Sequence, residues 1–324
     1  MNMTPTSPRP VTRGESTPTQ QAKVDWLNCT FKPDELTVEE VIFKLSEIMA
    51  RPVSGIDEGK GIRGYSKSVA LFAHVGSRKQ AIGFLGFGGE AQMGTWMLSI
   101  PGSGCSLIDN WQAMRDWLEQ LNAKVTRLDL AVDFLNGEYT VDDAVTFYRA
   151  GRFTSSGRPP ATSQAGDWLN EKERTLYIGK AKNGKVLRAY EKGQQLGQAN
   201  SPWTRYEVQF GNRDRVIPLE ALTERDKYFA GAYPVLKDLL DNECGAEKIP
   251  TKQTEGEVTL SHLLVHLRRT YGKAIDVMHA SEGFEIASLV DEVRVIGVPR
   301  RVNLSSVAAG PTWSGVCDLA RKAA

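Results

Sequence analysis

The residues best suited to chemistry lie in three stretches whose alternation is typical of β-strands. In the first, RLDLAVDF at 127–134, the even-numbered positions are apolar, whereas Arg127, Asp129 and Asp133 share the opposite face. Carboxylates on such a strand need cationic partners or a metal ion. At about 3.3 Å per residue the two aspartates lie ~13 Å apart, too far for one ion to be held by both alone. An edge strand with solvated acids and an Arg127 ion pair also explains the pattern.

The second stretch, WTRYEVQF at 203–210, places Glu207 on a polar face with Arg205 and Gln209. On a strand next to the first stretch, Glu207 completes a carboxylate set with Asp129 or Asp133. Such oxygen ligands favour Mg²⁺ or Mn²⁺. The alternative is an Arg205–Glu207 ion pair on a solvated sheet face.

The third stretch, KVLRAYEK at 185–192, projects Arg188, Tyr190 and Lys192 from one face if it is extended. Neighbouring positive charge lowers the pKa of a phenol and neutralises a phosphodiester, so Tyr190 is a candidate nucleophile. The ordinary alternative is a structural tyrosine, and Tyr177 in TLYIGK is a second candidate nucleophile.

The basic residues are concentrated around this tyrosine. The whole chain has a net charge of +1, whereas residues 151–200 carry nine Lys and Arg against four Asp and Glu. A local basic surplus of this kind is what a nucleic-acid path requires. The candidate DNA contacts are Arg127, Lys180, Lys182, Lys185 and Arg205.

Other kinds of site are excluded or weakly indicated. The four histidines include no His-hydrophobic-His strand pair, which excludes a nickase that binds its metal through two strand histidines. His262 and His266 have helical i, i+4 spacing, but no third zinc ligand is evident. HLRRTYG at 266–272 is not a tyrosine-recombinase motif, because no tyrosine follows Tyr271. The four cysteines lie singly, and the glycines at 83, 86, 88 and 89 predict turns rather than a phosphate loop.

The elements that must position these residues alternate between helices and strands. Length predicts about two domains, and no apolar run approaches the ~18 residues of a membrane span. The composition of residues 1–22 predicts a disordered tail and not a signal peptide. A cytosolic protein is therefore expected. Strands are predicted at 24–31, within 62–100, at 124–135 and within 175–210. Helices are predicted from Thr37, at 106–121, from Thr140 and within 218–240. A loop is predicted at 151–170 and a domain boundary at 247–257. No internal repeat is detected.

The order of the motifs resembles that of the replication initiation factor family of filamentous phages and rolling-circle plasmids. The resemblance covers roughly residues 24–240. It is carried by DWL at 25–27, GSGC at 102–105, RLDLAVDF at 127–134, TLYIGK at 175–180, LRAYEKG at 187–193 and RYEVQF at 205–210.

The resemblance implies an α+β fold of antiparallel sheets with helices on one side, similar in shape to the histidine nickases and to TBP. It implies a metal-dependent endonuclease in which Tyr190 nicks and rejoins origin DNA through a 5′-phosphotyrosyl intermediate and a free 3′-hydroxyl. Arg188 and Lys192 then steady the phosphate. Carried onto this chain, the metal positions are Asp129, Asp133 and Glu207, with Mg²⁺ or Mn²⁺ as the cofactor.

The expected organisation is a catalytic domain at 23–246 and a small, mainly helical segment at 247–324 that binds DNA or a partner. The expected partners are duplex and single-stranded origin DNA, a host helicase and polymerase, and a second copy of the chain, in the cytoplasm of a bacterial host and away from membranes. Two alternatives remain: a non-catalytic DNA-binding regulator, and a small-molecule enzyme that uses Asp129 and Glu207 as acid and base.

Overall fold

A computed structural model describes residues 20–155, 157–213, 215–241, 244–251 and 260–281, with single residues at 285, 288, 291 and 295. The chain divides into two compact units, residues 1–252 and 253–324. Residues 1–19 of the predicted tail lie outside the described residues. The last part of that tail belongs to the folded unit, because Ala22 is buried and its N–H donates a 2.6 Å hydrogen bond to Asp226.

The first unit contains one sheet of ten strands in which every described pairing is antiparallel. The strand order is β2-β3-β4-β5-β1-β6-β10-β9-β8-β7. The strands are β1 Lys23–Phe31, β2 Val53–Asp57, β3 Lys67–Val75, β4 Arg78–Phe87, β5 Trp96–Pro101, β6 Lys124–Phe134, β7 Thr162–Asp167, β8 Lys172–Lys180, β9 Lys185–Tyr190 and β10 Thr204–Gly211.

Seven α-helices lie in the described residues, so the predicted α+β class is confirmed. They are α1 Val38–Ile48, α2 Gly102–Cys105, α3 Trp111–Gln120, α4 Val141–Arg149, α5 Lys192–Gln195, α6 Arg225–Ala232 and, in the second unit, α7 Leu260–His279. None of the described helices is both long and apolar enough to cross a bilayer.

The connectivity of the first unit is repeated once, which the sequence analysis did not detect. Strand β1, helix α1 and strands β2 to β5 form one half, in which β5 returns beside β1. Strand β6, helix α4 and strands β7 to β10 form the other half, in which β10 returns beside β6. The halves join through the β1–β6 pair. Both α1 and α4 begin with a capping box, at Thr37 and Thr140.

The two faces of the sheet differ in what covers them. Alternation directs Leu128, Leu130 and Val132 of β6 into a core that also contains apolar residues of α1, α3, α4 and α6. The opposite face, here called the open face, carries the polar positions of β6, β9 and β10. The residues that could do chemistry therefore stand on a sheet whose other side is held by the core.

Some predicted elements are corrected. The predicted loop at 151–170 contains β7, whose side chains are all exposed, so this edge strand lacks the apolar alternation that sequence patterns detect. Strand β2 was also not predicted. The predicted helix at 106–121 begins only at Trp111, where the Asn110 side chain caps it. Gly83 and Gly86 lie inside β4 rather than in turns.

Candidate active site

The open face brings two of the three predicted acids together. Asp129 of β6 and Glu207 of β10 are diagonal neighbours, since Glu207 pairs with Ala131 and Gln209 pairs with Asp129. Both side chains are buried, and the relative exposure of Asp129 is 0%. Burial raises the pKa of Glu207 above its ordinary value, and nearby Asp129 raises it further although Arg188 opposes them. Glu207 is therefore a carboxylate with increased affinity for a proton.

Arg188 of β9 bridges the two acids. It lies opposite Glu207 in the β9–β10 register, and its Nη2 donates to Glu207 Oε1 and, at 3.0 Å, to Asp129 Oδ2. Arg127 binds Asp129 through two further bonds, from Nε at 2.9 Å and from Nη2 at 2.5 Å. The Nε of Arg188 is buried but has no hydrogen-bond partner among the described residues. A buried donor of this kind has a high affinity for an anionic oxygen.

Tyr190, at the end of β9, contacts one acid of this pair, Glu207. Its hydroxyl donates a 3.0 Å hydrogen bond to Glu207 Oε2, and 8% of the residue is exposed. The Nζ of Lys192 lies 5.6 Å from the ring centroid, although Lys192 starts helix α5 instead of extending the strand as predicted. Burial, followed by Glu207, raises the pKa of Tyr190. The predicted lowering of this pKa by cations is therefore wrong, because the hydroxyl faces a carboxylate.

Asp133 is held away from this pair by a separate group of charges. Arg205 donates to Asp133 from Nε at 2.7 Å and from Nη2 at 3.0 Å, and its Nη1 donates to Asp25 at 2.8 Å. Lys23 and the indole of Trp203 also contact Asp133. Although burial acts to raise the pKa of Asp133, these donors hold it below its ordinary value. The predicted set of three carboxylates is not assembled.

Asp129 and Glu207 by themselves fit a divalent cation in kind. No group of three or more His, Cys, Asp or Glu side chains that could hold a metal ion is found among the described residues. Two adjacent carboxylates are nevertheless a donor set that Mg²⁺ uses when substrate phosphates complete its ligands. The raised pKa of Glu207 is consistent with this role, because a nearby cation relieves the repulsion between the two acids.

The predicted basic contacts separate into two groups. Lys180 and Lys182 are exposed beside Arg188, where they line one shallow pocket with Tyr177. Lys185 faces the core side instead: its ammonium donates to the Ala232 carbonyl, and burial lowers its pKa to about 8.

The two predicted arginine contacts are engaged within the protein. Arg205 is buried and bound to Asp133 and Asp25, so it positions acids and is not a surface contact. Arg127 lies with Cζ 4.3 Å from the Trp26 ring centroid and binds Asp129.

Tyr177, the alternative nucleophile, lies one strand further from the acids. It is half-buried on β8 opposite Arg188, on the same open face. Its hydroxyl makes no hydrogen bond with a described residue, whereas that of Tyr190 binds Glu207. This difference favours Tyr190 as the reacting group.

A cavity of about 690 Å³ brings two predicted site residues, Lys192 and Arg205, together with residues that the sequence analysis did not assign. Lys23, Asp25, Lys192 and Arg205 line it together with the 102–106 segment. Gly102 belongs to the GSGC motif, and a Cβ on it would lie 3.0 Å from the Asp25 carboxylate, which explains a glycine there. The DWL motif marked Asp25, but only the tertiary structure shows its pairing with Arg205.

The comparison with protein families agrees with the motif resemblance. The sequence profile of the replication initiation factor family matches residues 123–293, which includes β6 to β10 and also α7, beyond the reach of the motifs. A search of curated proteins finds no match. A solved structure of the rolling circle replication initiator protein from Geobacillus stearothermophilus is similar with a TM-score of 0.45 and 24% identity, covering 59% of this chain and 74% of that chain. Because the profile match spans more than half of its residues, this chain belongs to the replication initiation factor family.

Proposed function

We propose that this protein nicks and rejoins one strand of origin DNA in rolling-circle replication, with Tyr190 as the nucleophile. The observation that carries the proposal is the 3.0 Å hydrogen bond from the Tyr190 hydroxyl to Glu207, beside Asp129 and Arg188. Family membership supports a role in replication initiation. Glu207 supports chemistry as well as binding, because buried carboxylates with a perturbed pKa concentrate at reactive sites.

The proposed step exchanges one phosphodiester bond for another. Tyr190 Oη attacks the phosphorus, the bond between phosphorus and the 3′-oxygen breaks, and the 5′ side of the nick remains on the tyrosine. Glu207 accepts the phenol proton as the new bond forms, since its raised pKa favours protonation. The leaving 3′-oxygen then takes up a proton from water, and the resulting 3′-hydroxyl is an end that a polymerase extends. Because the bond exchanged is of the same type, the reverse step rejoins the strand without ATP.

The surrounding cations supply the electrostatic part of this proposal. The unpartnered Nε of Arg188 is available to donate to a non-bridging phosphate oxygen, and the Lys192 ammonium lies on the Tyr190 side of the site. Asp129 and Glu207 would hold a Mg²⁺ or Mn²⁺ ion. Such an ion would polarise the scissile phosphate. Residues 23–246 are the proposed catalytic part, and residues 247–324 are proposed to bind DNA or a partner.

The test uses supercoiled DNA that carries the protein's own origin, with Mn²⁺. The wild-type protein should produce nicked circles with protein attached at the 5′ end, and chelation of the metal should stop nicking. Tyr190→Phe should lose the covalent adduct completely and keep DNA binding, because only the hydroxyl is removed. Tyr177→Phe is the matched control and should nick normally.

Two results would contradict the proposal. An adduct that persists in Tyr190→Phe and disappears in Tyr177→Phe would move the nucleophile to β8. Binding to the origin without any nicking by the wild-type protein would support the alternative of a non-catalytic DNA-binding regulator. Asp129→Asn should lose cleavage except at a large excess of metal, because it removes one anionic ligand. Glu207→Gln should lose cleavage even at a large excess of metal, because it also removes the group that accepts the Tyr190 proton.

A further inference from the structure

The first half of the sheet carries aromatic rings on its open face, in residues outside the family match. Trp26 of β1 and Phe84 of β4 are half-buried, and neither belongs to the core on the helix side. Each ring has a guanidinium over it: Arg127 Cζ lies 4.3 Å from the Trp26 centroid, and Arg63 Cζ lies 5.6 Å from the Phe84 centroid. The flat surface of an aromatic ring or of an arginine is what an unpaired base stacks on.

The two halves of the repeat differ in chemistry at related positions. In the second half, β6, β10 and β9 present Asp129, Glu207 and Arg188. In the first half, the corresponding strands β1, β5 and β4 present Asn28, Ser99 and Phe84, which lie opposite one another in register. An amide, a hydroxyl and a phenyl ring supply neither a metal ligand set nor a nucleophile activated by an acid. This half is therefore suited to binding and not to cleavage.

Hydrogen bonds hold the Trp26 ring in one orientation. Its Nε1 donates to Asn28 Oδ1 at 2.6 Å, and Ser99 Oγ donates to the same oxygen at 2.7 Å. Asn28 and Ser99 are both buried, so the ring is fixed before any ligand arrives. A fixed ring loses little conformational entropy on binding, which increases affinity.

The charge on this face fits a polyanion and connects it to the candidate active site. Arg63 forms no ion pair with a described residue, so its charge is available to a phosphate. Arg127, which covers Trp26, also binds Asp129 of the acid pair. Phe84 and Arg127 lie in one register row three strand spacings apart, or ~14 Å at about 4.8 Å per spacing. A DNA strand that follows this row across the sheet reaches Arg127, whose guanidinium binds Asp129.

We infer that Trp26 and Phe84, with Arg127 and Arg63 over them, form a stacking platform for unpaired bases of single-stranded DNA next to the cleavage site. The inference rests on the proposed function only in taking DNA as the ligand. Stacking tolerates every base, so the platform holds the strand without reading its sequence. The platform positions substrate and takes no part in the reaction at Tyr190.

The test measures binding of the full chain to a fluorescent oligothymidylate by anisotropy over a series of salt concentrations. Trp26→Ala and Phe84→Ala should each weaken binding about 5- to 150-fold, which corresponds to ~1–3 kcal/mol per stacked base. The slope of log K against log salt should stay unchanged, because no phosphate contact is lost. Arg63→Gln should instead reduce the magnitude of this slope by about 0.7, the value for one contact on a single strand.

The matched control is Phe43→Ala. Phe43 is 65% exposed on α1, on the helix side of the sheet, so its removal should leave binding unchanged. Conservative variants separate stacking from folding: Trp26→Phe and Phe84→Trp keep a ring and should keep most of the affinity. The wild-type protein should show quenching of tryptophan fluorescence on binding DNA, and Trp26→Phe should remove part of it.

Three results would overturn the inference. The first is wild-type affinity in both alanine variants, and the second is an equal loss of affinity in the ring-conserving variants. The third is an alanine variant that changes from a dimer to a monomer without a change in DNA affinity. The last result would assign this face to contact between copies. Failure of the proposed function is distinguishable, because nicking and adduct formation are measured separately. If the alanine variants bind normally while the wild type nicks, only the platform is refuted. If the wild type never nicks but the Trp26→Ala variant binds more weakly, only the nuclease activity is refuted.

Discussion

At the scale of single residues, the open face contains two arginine-centred groups with different purposes. The guanidinium of Arg188 binds both Asp129 and Glu207, and its Nε has no hydrogen-bond partner among the described residues. Arg188 is therefore able to bind a substrate oxygen through Nε. Arg205 donates to Asp133 and Asp25 from a buried position. A buried ion pair of the second kind maintains geometry, and removing one partner leaves an uncompensated charge.

Asp133→Asn is therefore expected to affect stability and not metal dependence. The amide leaves Arg205 with only Asp25 as an ion partner, and breaking a buried pair costs ~3–5 kcal/mol. The measurement is urea unfolding alongside nicking at graded Mn²⁺ concentrations. Asp129→Asn is the comparison variant and should raise the Mn²⁺ requirement. If Asp133→Asn raised the Mn²⁺ requirement and left the stability unchanged, Asp133 would be a metal ligand.

Glu207→Gln is expected to lose cleavage. Its stability relative to that of the wild type is expected to increase as the pH rises. The folded protein holds the pKa of Glu207 above its unfolded value, so the native state binds more protons in the window above about pH 4.5. Wild-type stability therefore falls as the pH rises through that window, and the neutral glutamine escapes this loss.

The check is thermal unfolding of both proteins at pH 4.5 and pH 7.5. The difference in Tm should move in favour of Glu207→Gln by roughly 2–4 °C between the two pH values, as expected of about 1 kcal/mol in a domain of this size. Glu58→Gln changes an exposed acid and should show no such trend. A difference in Tm that favours the wild type at pH 7.5 would mean that the Arg188 pairing outweighs the burial of Glu207.

At the scale of elements, the register of the central strands decides which residues meet. Strand β6 lies between β1 and β10, so its polar face contacts residues from both halves of the repeat. A shift by one residue would turn Glu207 to the core and Val208 to the open face. In the first half, the β4 backbone comes close to the β5 backbone at Gly83.

Gly83→Ala is predicted to destabilise the first half strongly. Gly83 has φ +142°, and a Cβ there would lie 1.9 Å from the Ser99 carbonyl oxygen, closer than atoms can pack. The strained backbone alone costs ~1–3 kcal/mol, and the clash adds to it. Urea unfolding measures the loss.

The control for this substitution is Gly211→Ala at the end of β10. Gly211 has no positive φ, and the nearest atom to an added Cβ is 3.7 Å away. Its free energy of unfolding should change by no more than about 0.5 kcal/mol. Equal stability of the two variants would show that β4 does not approach β5 as described.

At the scale of the whole molecule, the first unit contains the sheet, its core and the candidate site. The buried apolar cluster extends from Ala22 to Ile249, so the unit closes its core before the division at residue 252. The cluster unites apolar residues from both halves of the repeat, because β1 and β6 pair at the centre of the sheet.

A fragment that ends at Lys252 is expected to fold and to keep the Tm of the full chain within about 2–4 °C, a change below about 1 kcal/mol. Its adduct formation on single-stranded origin DNA should persist, because Tyr190, Glu207 and Asp129 all lie in this unit. Calorimetry and the adduct assay check both statements. A fragment that unfolds without a cooperative transition would show that residues 253–324 are part of the folding unit.

The sequence by itself determined most of the strands, their faces and the family, but not the exposed edge strands β2 and β7, which lack apolar alternation. Alternation placed Asp129, Glu207 and Tyr190 on polar faces, and the starts of α1 and α4 were predicted at Thr37 and Thr140, because these signals depend on residues a few positions apart. The tertiary structure decided which acids meet. Asp25 and Arg205 are 180 positions apart, yet Arg205 binds both Asp25 and Asp133, whereas Glu207 binds Arg188. It also decided that a carboxylate, and not a cation, faces the Tyr190 hydroxyl, because strand order and register are set by long-range packing that no local pattern encodes.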